Sequence, residues 1–245
     1  SPYWIKKQAS KGLFNVNEID LIGLPTVNQN EPVYFEVIID GEKFSFERDI
    51  IYKFNSPVTG EVYQPFQVLP EVTGRINDKV LIFSEAKAQK VTVTVKAGKD
   101  NLSGIATLQH PEGWNVSAPQ TFDLETKDQE KELIFTVTPP NNQSEGTLNL
   151  LIQVGDSYYN NEMVTLNYEH IPFQHILVPA QAKVARIELN IKGQNIGYIA
   201  GAGDEIPSAL SQIGYQVSEI NLETMTSESI KDFESDEVWQ RPICR

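Results

Sequence analysis

The chain has 245 residues, of which 40% are hydrophobic and 22% are charged, and its formal net charge at pH 7 is −13. This composition is ordinary for a folded globular protein, and the length suffices for two compact domains or for one large β domain with an appendage. The negative charge argues against nucleic-acid binding and against docking on an anionic membrane, since both need a basic surface. A neutral partner such as a sugar, or another protein, fits better.

Residues 1–70 predict an N-terminal β domain. Apolar and polar residues alternate in three segments that we expect to be strands, at 33–39, 43–48 and 50–54. Between the first two, Asp40 and Gly41 are residue types that adopt a positive φ, which predicts a two-residue hairpin turn. The segment 64–70 contains Pro65 and Pro70 and is predicted to lead into a second module.

Residues 71–170 predict an immunoglobulin-like β-sandwich. About seven short strands, separated by turn residues every 8–12 positions or so, are typical of that fold. The predicted strands are 79–83, 90–96, 104–108, 121–124, 131–137, 147–152 and 164–168. A Pro-Glu-Gly-Trp turn at 111–114 presents a tryptophan between two of them.

The character of the sequence changes after residue 170. Residues 171–184 predict a linker, and residues 185–245 predict a truncated α/β segment. Its elements are a strand at 185–189, a strand at 195–200, a glycine turn at 201–205, a short helix at 206–213 capped by Gly214, and a strand at 215–220. This order resembles the first βαβ unit of a doubly wound domain. Because a parallel sheet needs more strands, we expect an open edge that docks on the sandwich or forms a homodimer.

The glycine turn is the most site-like segment of the chain. Gly201, Gly203, Asp204 and Glu205 precede a helix, where backbone N–H groups suit an anion or a polar ligand. However, Ile206 replaces the third glycine of the dinucleotide fingerprint, and two adjacent carboxylates would repel a phosphate. A structural turn, with Asp204 as a helix N-cap, is therefore favoured over a nucleotide site.

Exposed aromatic residues are the second kind of candidate, because aromatic faces bind pyranose rings. Trp114 could serve in this way, although a tryptophan after such a turn more often folds back onto the edge of a sandwich core. Tyr158 and Tyr159, flanked by Asp156 and by asparagines, are the better exposed pair, although they could also form one face of a hairpin.

The sequence lacks a complete catalytic or metal-binding pattern. His170 and His175 could form a metal clip, but zinc sites need three or four ligands, so a linker stiffened by Pro172 is favoured and neither metal nor cofactor is expected in this chain. No nucleophile elbow occurs, and the single cysteine, Cys244, has no intrachain disulfide partner and does not indicate a redox compartment. No apolar run approaches the ~20 residues that span a bilayer. The chain opens at residues 1–4 without an initiator Met, and we expect an excerpt or a processed form.

Several segments, in order, resemble the PIG-L (LmbE-like) family of deacetylases, long multidomain proteins of Bacteroidetes and related bacteria. The similar segments are Pro-Tyr-Trp at 2–4, Lys-Gly-Leu-Phe at 11–14, Leu-Ile-Gly-Leu-Pro at 21–25, Ser-Pro-Val-Thr-Gly-Glu-Val-Tyr-Gln-Pro at 56–65, Pro-Glu-Gly-Trp at 111–114, His-Ile-Pro-Phe-Gln at 170–174 and Ile-Gly-Tyr-Ile-Ala-Gly-Ala-Gly-Asp-Glu at 196–205. The C-terminal part is similar to the start of a glutamine-amidotransferase-like domain. Residues 234–245 lack the apolar strand and glycine turn that the family would continue with.

The resemblance implies a parent protein that is a zinc-dependent N-deacetylase of N-acetylglucosamine-type glycoconjugates, in the periplasm or outside the cell. The family's Pro-His-Pro-Asp-Asp-type motif and distant His pair do not occur here. Zinc is therefore expected only in a deacetylase domain outside this chain, which becomes its expected partner. The resulting hypothesis is a non-catalytic accessory region that acts as a scaffold or positions a glycan. The alternatives are a stand-alone carbohydrate-binding module and an enzyme that acts at the turn 201–205.

Overall fold

The chain is mainly β in the computed structural model, because apolar and polar residues alternate along much of it and turns are frequent. The structure describes residues 3–5, 7, 10, 12–24, 32–168, 173–191, 193–200, 206–221, 223, 225–226 and 233. The chain divides into two compact units. The first comprises Ser1–Glu71 and Glu162–Val178, and the second comprises Val72–Asn161 and Pro179–Arg245. The polypeptide therefore leaves the second unit after Asn161 and returns to it at Pro179.

Two short 3-10 helices, at Tyr3–Ile5 and Ile19–Leu21, precede the strands among the described residues. The strands and the helix that follow, in chain order, are β1 (Pro32–Ile39), β2 (Glu42–Asp49), β3 (Ile51–Ser56), β4 (Gly60–Pro65), β5 (Val72–Ile76), β6 (Val80–Phe83), β7 (Gln89–Ala97), β8 (Leu102–Gln109), β9 (Asn115–Val116), β10 (Gln120–Leu124), β11 (Glu130–Thr138), β12 (Ser144–Val154), β13 (Ser157–Tyr159), β14 (Asn161–Leu166), β15 (Gln174–Pro179), β16 (Gln181–Arg186), β17 (Asn195–Tyr198), α1 (Ile206–Gln212) and β18 (Gln216–Glu219).

The first unit contains two-stranded sheets, in which β1 pairs with β2 and β3 with β4, both antiparallel, and β14 pairs with β15. The predicted hairpin is confirmed. Ile39 lies opposite Glu42, and the two turn residues have positive φ angles of 51° at Asp40 and 86° at Gly41. Two successive positive φ angles define the type I′ turn, whose twist matches that of the flanking strands.

The second unit is built on two facing sheets. One has the order β5-β7-β11-β9, and the other has the order β10-β8-β12-β16-β6, with β13 also paired to β12. A single cluster of buried apolar side chains lies between them, including Val93 of β7, Phe135 of β11, Leu150 of β12 and Val184 of β16. Alternation along each strand sends one set of side chains into this core and the other set to the outside.

The edge strand β6 of the larger sheet is capped by side-chain amides. Because β6 pairs in parallel with β16 on one side, the backbone groups of Val80 and Ile82 point to the other. The Ile82 N–H donates to Oε1 of Gln212 in α1 at 2.8 Å, and Nε2 of Gln212 lies 3.4 Å from the Val80 carbonyl oxygen. Nε2 of Gln89 donates to the Ile82 carbonyl at 3.2 Å. These amides take the place of a further strand and protect the edge.

Replacing Gln212 by Ala is expected to expose this edge. The Ile82 amide loses its acceptor, so its hydrogen exchange should accelerate by about tenfold or more, while the buried amide of Val93 exchanges as before. Amide exchange followed by mass spectrometry or NMR checks this outcome. Ser211→Ala, an exposed position in the same helix, serves as the matched control, and an unchanged rate at Ile82 in the Gln212 variant would contradict the capping role.

The structure differs from the predicted domain limits after β13. The segment expected to be a linker, 171–184, contains β15 and the start of β16, and β16 is an inner strand of the larger sandwich sheet. The predicted closing strand of the sandwich, 164–168, corresponds to β14, which pairs with β15 in the first unit. The strand expected at 185–189 begins earlier, at Gln181. The sandwich is completed by residues that the sequence assigned elsewhere.

The two strands and the helix predicted after residue 194 have counterparts in β17, β18 and α1, whereas the predicted glycine turn at 201–205 lies outside the described residues. β17 and β18 pair in parallel, with Asn195 opposite Gln216, and α1 lies between them in the sequence. Gly214 has a φ of 109°, and its N–H donates to the Ser211 carbonyl at 3.1 Å, as at a helix C-terminus.

Candidate functional site

Tyr158 and Tyr159 lie on opposite faces of the larger sheet. In β13, Tyr159 lies opposite the buried Ile152 and packs against the core, whereas Tyr158 lies opposite Gln153 and is 62% exposed. Successive side chains on a strand point to opposite faces, so the pair that the sequence singled out cannot act as a single platform. Tyr158 is the member that solvent can reach.

Tyr158 begins a row of outward-facing side chains that crosses four strands. Gln153 of β12 lies opposite both Tyr158 of β13 and Ile105 of β8, and Ile105 lies opposite Thr121 of β10. Neighbouring strands are about 4.8 Å apart, so the row extends about 14 Å across the outside of the sheet. We call the row Tyr158–Gln153–Ile105–Thr121 the outer row.

A shallow depression covers three residues of the outer row, Gln153, Ile105 and Thr121, and Tyr158 lies outside its lining. Its volume is about 450 Å³, and its lining consists of Ser103, Gly104, Ile105, Thr121, Phe122, Asp123, Gln153 and Gly155. Ser103 and Asp123 are cross-strand partners one step along from Ile105 and Thr121. Nε2 of Gln153 donates to the Gly155 carbonyl at 3.1 Å, which fixes the orientation of the Gln153 side chain.

Gly104 explains the shape of the sheet beneath this depression. A Cβ at residue 104 would lie 2.4 Å from the Gln153 carbonyl oxygen and 2.7 Å from Cζ of Phe122. The absent side chain lets the Phe122 ring lie under the strand and close the core there. Without a glycine, either the ring or the backbone of β12 would have to move.

The chemistry of the outer row, together with the adjacent pair Ser103 and Asp123 of the depression, suits a neutral polyhydroxylated ligand. Hydroxyl groups at Ser103 and Thr121 donate and accept hydrogen bonds, and the Asp123 carboxylate accepts them. Tyr158 and Ile105 add apolar surface, and a few polar groups beside an apolar surface are typical of small-molecule sites. Of the residues in the outer row and the depression, the sequence analysis indicated only Tyr158. The polar partners could have been found from the alternation of β8 and β10, once the pairing of the two strands is known.

Trp114 is not available as a stacking surface. Its side chain is 1% exposed, its ring packs edge-on against Phe83 with centroids 5.1 Å apart, and its Nε1 donates to Oγ of Ser144 at 3.1 Å. The turn itself is as predicted, because the Trp114 N–H donates to the Pro111 carbonyl and Gly113 has a φ of 80°. The indole is part of the core, which is the alternative that the sequence favoured.

Shifted pKa values in the described part of the chain belong to exposed ion pairs. A hydrogen bond from Lys53 lowers the pKa of Glu61, which also accepts a hydrogen bond from Tyr63, and the same contact with Glu61 raises the pKa of Lys53. The contact with Lys87 lowers the pKa of Glu85, and that of Lys87 is raised in return. All four side chains are exposed to solvent at the surface. Catalytic acids and bases are instead shifted by burial within a cleft.

Potential metal ligands are scattered over the described residues, in which no group of three His, Cys, Asp or Glu side chains comes together. His175 is occupied locally, with Nδ1 at 3.1 Å from Oγ1 of Thr165 and its ring edge-on to Phe173. His110 lies beside the Pro111 carbonyl. The zinc that the family resemblance implies does not fit these residues, and we assign it no site in them.

The remaining candidates lie outside the described residues. They are His170 and the turn residues Gly201, Gly203, Asp204 and Glu205. Their roles therefore stay predictions. Within the part of the chain that the structure describes, no helix has the length and apolar character needed to cross a membrane.

Comparisons with known proteins give distant structural likeness only. No protein-family model matches the chain, and no curated protein matches it. Among solved structures, the chain is similar to the native conformation of Escherichia coli alpha-2-macroglobulin, with 14% identity and a TM-score of 0.30 over 74% of this chain and 12% of that one. It is also similar to a family 123 glycoside hydrolase from Clostridium perfringens, with 8% identity and a TM-score of 0.27 over 53% of this chain and 30% of that one. The chain thus spans less than a third of either protein.

Proposed function

We propose that this chain is a non-catalytic accessory region, which holds a glycan on the outer row of its β-sandwich beside the catalytic domain of a glycan-directed N-deacetylase. The observation that supports this proposal best is the position of Tyr158, an exposed ring on β13 in the same cross-strand row as Gln153, Ile105 and Thr121 of the depression. Sites built on strands hold their geometry better than sites on loops.

The scaffold part of the proposal rests on the core of the second unit. Side chains from both sheets are fully buried there, among them Val91, Phe135 and Ile152. A body packed in this way presents surface groups at fixed positions and is well suited to spacing a ligand from a catalytic centre. In the finer form of the proposal, the sandwich is immunoglobulin-like, and β17, α1 and β18 begin a doubly wound, glutamine-amidotransferase-like domain.

The identity of the catalytic partner rests on the resemblance to PIG-L deacetylases. In this proposal, zinc belongs to the deacetylase domain of the parent protein, and the location is periplasmic or extracellular. The alternative of a stand-alone carbohydrate-binding module uses the same outer row but needs no catalytic partner. An enzyme that acts at the turn 201–205 is a third proposal. Replacing Asp204 and Glu205 by Ala, with no change in any ligand-induced melting shift, would rule it out.

Replacing Tyr158 by Ala is expected to weaken glycan binding by about tenfold, because its ring is the more exposed of the two large apolar side chains in the outer row. Isothermal titration of the chain with chitotriose, a trimer of N-acetylglucosamine, measures the effect. Tyr34→Ala is the matched control, since Tyr34 is 63% exposed and lies in the other unit.

The outcomes separate the versions of the proposal. Heat with chitotriose that Tyr158→Ala removes and Tyr34→Ala preserves supports glycan positioning. No heat with chitotriose or with any sugar of a glycan array leaves only the scaffold. Binding that survives in Tyr158→Ala contradicts the outer row as the site. Joining the chain to a deacetylase domain, and finding turnover that Tyr158→Ala leaves unchanged, favours the stand-alone binding module.

A further inference from the structure

The β1–β2 hairpin of the first unit presents apolar side chains and an open edge to solvent. Phe35, Val37, Phe44 and Phe46 share one face, in which Phe35 lies opposite Phe46 and Val37 opposite Phe44, and all four are more than 40% exposed. Among the described residues, β2 pairs with β1 alone. A two-stranded sheet is marginally stable in water and gains from additional strands, so this hairpin is suited to pairing.

The hairpin register determines which backbone groups of β2 face outward. In a two-residue loop the flanking pair, Ile39 and Glu42, is hydrogen-bonded, and the hydrogen-bonded pairs then alternate along the strands. The backbone N–H and C=O groups of Lys43, Ser45 and Glu47 therefore point away from β1. The Glu47 carbonyl fits this assignment, because it accepts a hydrogen bond from Nη1 of Arg48 at 2.9 Å rather than from β1.

An antiparallel pairing of β2 with β2 of a second copy, centred on Ser45, satisfies these groups. Ser45 then lies opposite Ser45 of the second copy and Lys43 opposite Glu47, and three hydrogen-bonded pairs form from the outward-facing residues. At both ends of this ladder, Glu42 lies opposite Arg48. Every charged residue between Glu42 and Arg48 thus meets an opposite charge, and each ion pair occurs twice because the arrangement is two-fold symmetric.

The same register joins the apolar faces of the two hairpins. Phe44 of one copy lies opposite Phe46 of the other, so the apolar surface continues across four strands. Pairing through β1 does not offer this match. The outward-facing groups of β1 are those of Tyr34, Glu36 and Ile38, and an arrangement centred on them sets Glu36 against itself.

We propose that two copies of this chain associate through their β2 strands, antiparallel and centred on Ser45, into a four-stranded sheet. On association the Arg48 guanidinium leaves the Glu47 carbonyl and pairs with Glu42 of the second copy, which frees that carbonyl for the Lys43 N–H. Lys43 keeps its contact with Glu36, 2.6 Å away within its own hairpin, and gains Glu47 of the second copy. This surface is separate from the β17–β18 edge and from the outer row.

Sedimentation velocity on the whole chain, from about 1 µM to about 500 µM, tests the pairing. The unaltered chain is expected to shift from monomer to dimer across this range. Ser45→Pro removes only a donor that faces away from β1, so the hairpin keeps its ladder while the dimer is lost. Glu42→Arg places two positive charges together in each of two symmetric pairs and should weaken the dimer by about tenfold.

The double variant Glu42→Arg/Arg48→Glu tests the pairing register. It is expected to dimerise like the unaltered chain, because the exchanged charges are complementary again. Glu145→Arg, an exposed position of the second unit with the same change in charge, should dimerise like the unaltered chain. A monomer at every concentration overturns the proposal. A dimer that neither Ser45→Pro nor Glu42→Arg weakens also overturns it. The same is true if adding Arg48→Glu to Glu42→Arg fails to restore the dimer. If circular dichroism shows that Ser45→Pro unfolds the hairpin, the comparison of Glu42→Arg with the double variant Glu42→Arg/Arg48→Glu tests the proposal instead.

Discussion

Replacing Trp114 by Ala is expected to lower the free energy of unfolding of the sandwich by about 3–5 kcal/mol. The indole is the largest fully buried side chain of the core, so its removal leaves a void against Phe83 and also leaves Oγ of Ser144 without its donor. Urea unfolding followed by circular dichroism measures the loss. Hydrogen exchange at Val93 reports on the sandwich separately from the first unit.

A matched substitution separates packing from hydrogen bonding at this position. Trp114→Phe keeps an aromatic ring beside Phe83 but cannot donate to Ser144, and we expect a smaller loss, about 1–2 kcal/mol. Ser144→Ala removes the same hydrogen bond from the other side and should cost about 1 kcal/mol. A Trp114→Ala variant that loses less than about 1 kcal/mol would contradict the position of the indole in the core.

Arg186→Ala is expected to destabilise the sandwich by about 2–4 kcal/mol. Arg186 is 8% exposed at the end of β16, and its Nη1 donates to the carbonyl oxygens of Ser84 at 3.0 Å and Ile187 at 2.7 Å. Alanine leaves both carbonyls without this donor and opens a cavity. Within the described part of the chain, the Arg186 Nε has no hydrogen-bond partner, which keeps the expected loss below that of a fully bonded guanidinium.

Arg186→Met tests how much of this effect is hydrogen bonding. Methionine fills most of the space but donates no hydrogen bond, so we expect it to lose about 1–3 kcal/mol, less than alanine. Denaturation midpoints of the two variants, taken at equal m-values, give the comparison. A methionine variant that is as stable as the unaltered chain would mean that packing alone accounts for the position of Arg186.

Local sequence signals predicted the parts of the fold that depend on local chemistry. Asp40 and Gly41 accept positive φ angles at little cost, so they specify the hairpin without help from the rest of the chain. The strict alternation of residues 90–96 similarly predicted β7. In these elements a turn residue or a period of two decides the conformation, and both can be read from a few neighbouring residues.

Strands whose burial depends on distant partners were missed or misplaced. β16 has Ala182 and Val184 facing the core but also Arg186, and a charged residue at an inward position hides the alternation. In β5, residues on both faces are buried, and Gly74 sits where a Cβ would lie 2.6 Å from Leu150. Only the packing of the opposite sheet explains a glycine there, and that packing is not a local property.

The candidate site was only partly predictable for the same reason. Tyr158 is exposed, as the sequence suggested, but its neighbours Gln153, Ile105 and Thr121 come from three other strands. These residues lie side by side because of the pairing register of the strands, which cannot be deduced from short segments of sequence. The assignment of Tyr159 as a second exposed ring failed because the strand places it on the core side.

The pairing of β6 with β16 has a consequence for how the protein is made. Val80 lies opposite Lys183, and the segment Glu162–Val178, which separates β16 from the rest of the sandwich, belongs to the first unit. During synthesis, β6 emerges from the ribosome long before its neighbour, so the nascent chain carries an unfinished hydrophobic layer until about residue 186 is translated. Such long-range closure slows folding and leaves the unfinished apolar layer open to aggregation until β16 is in place.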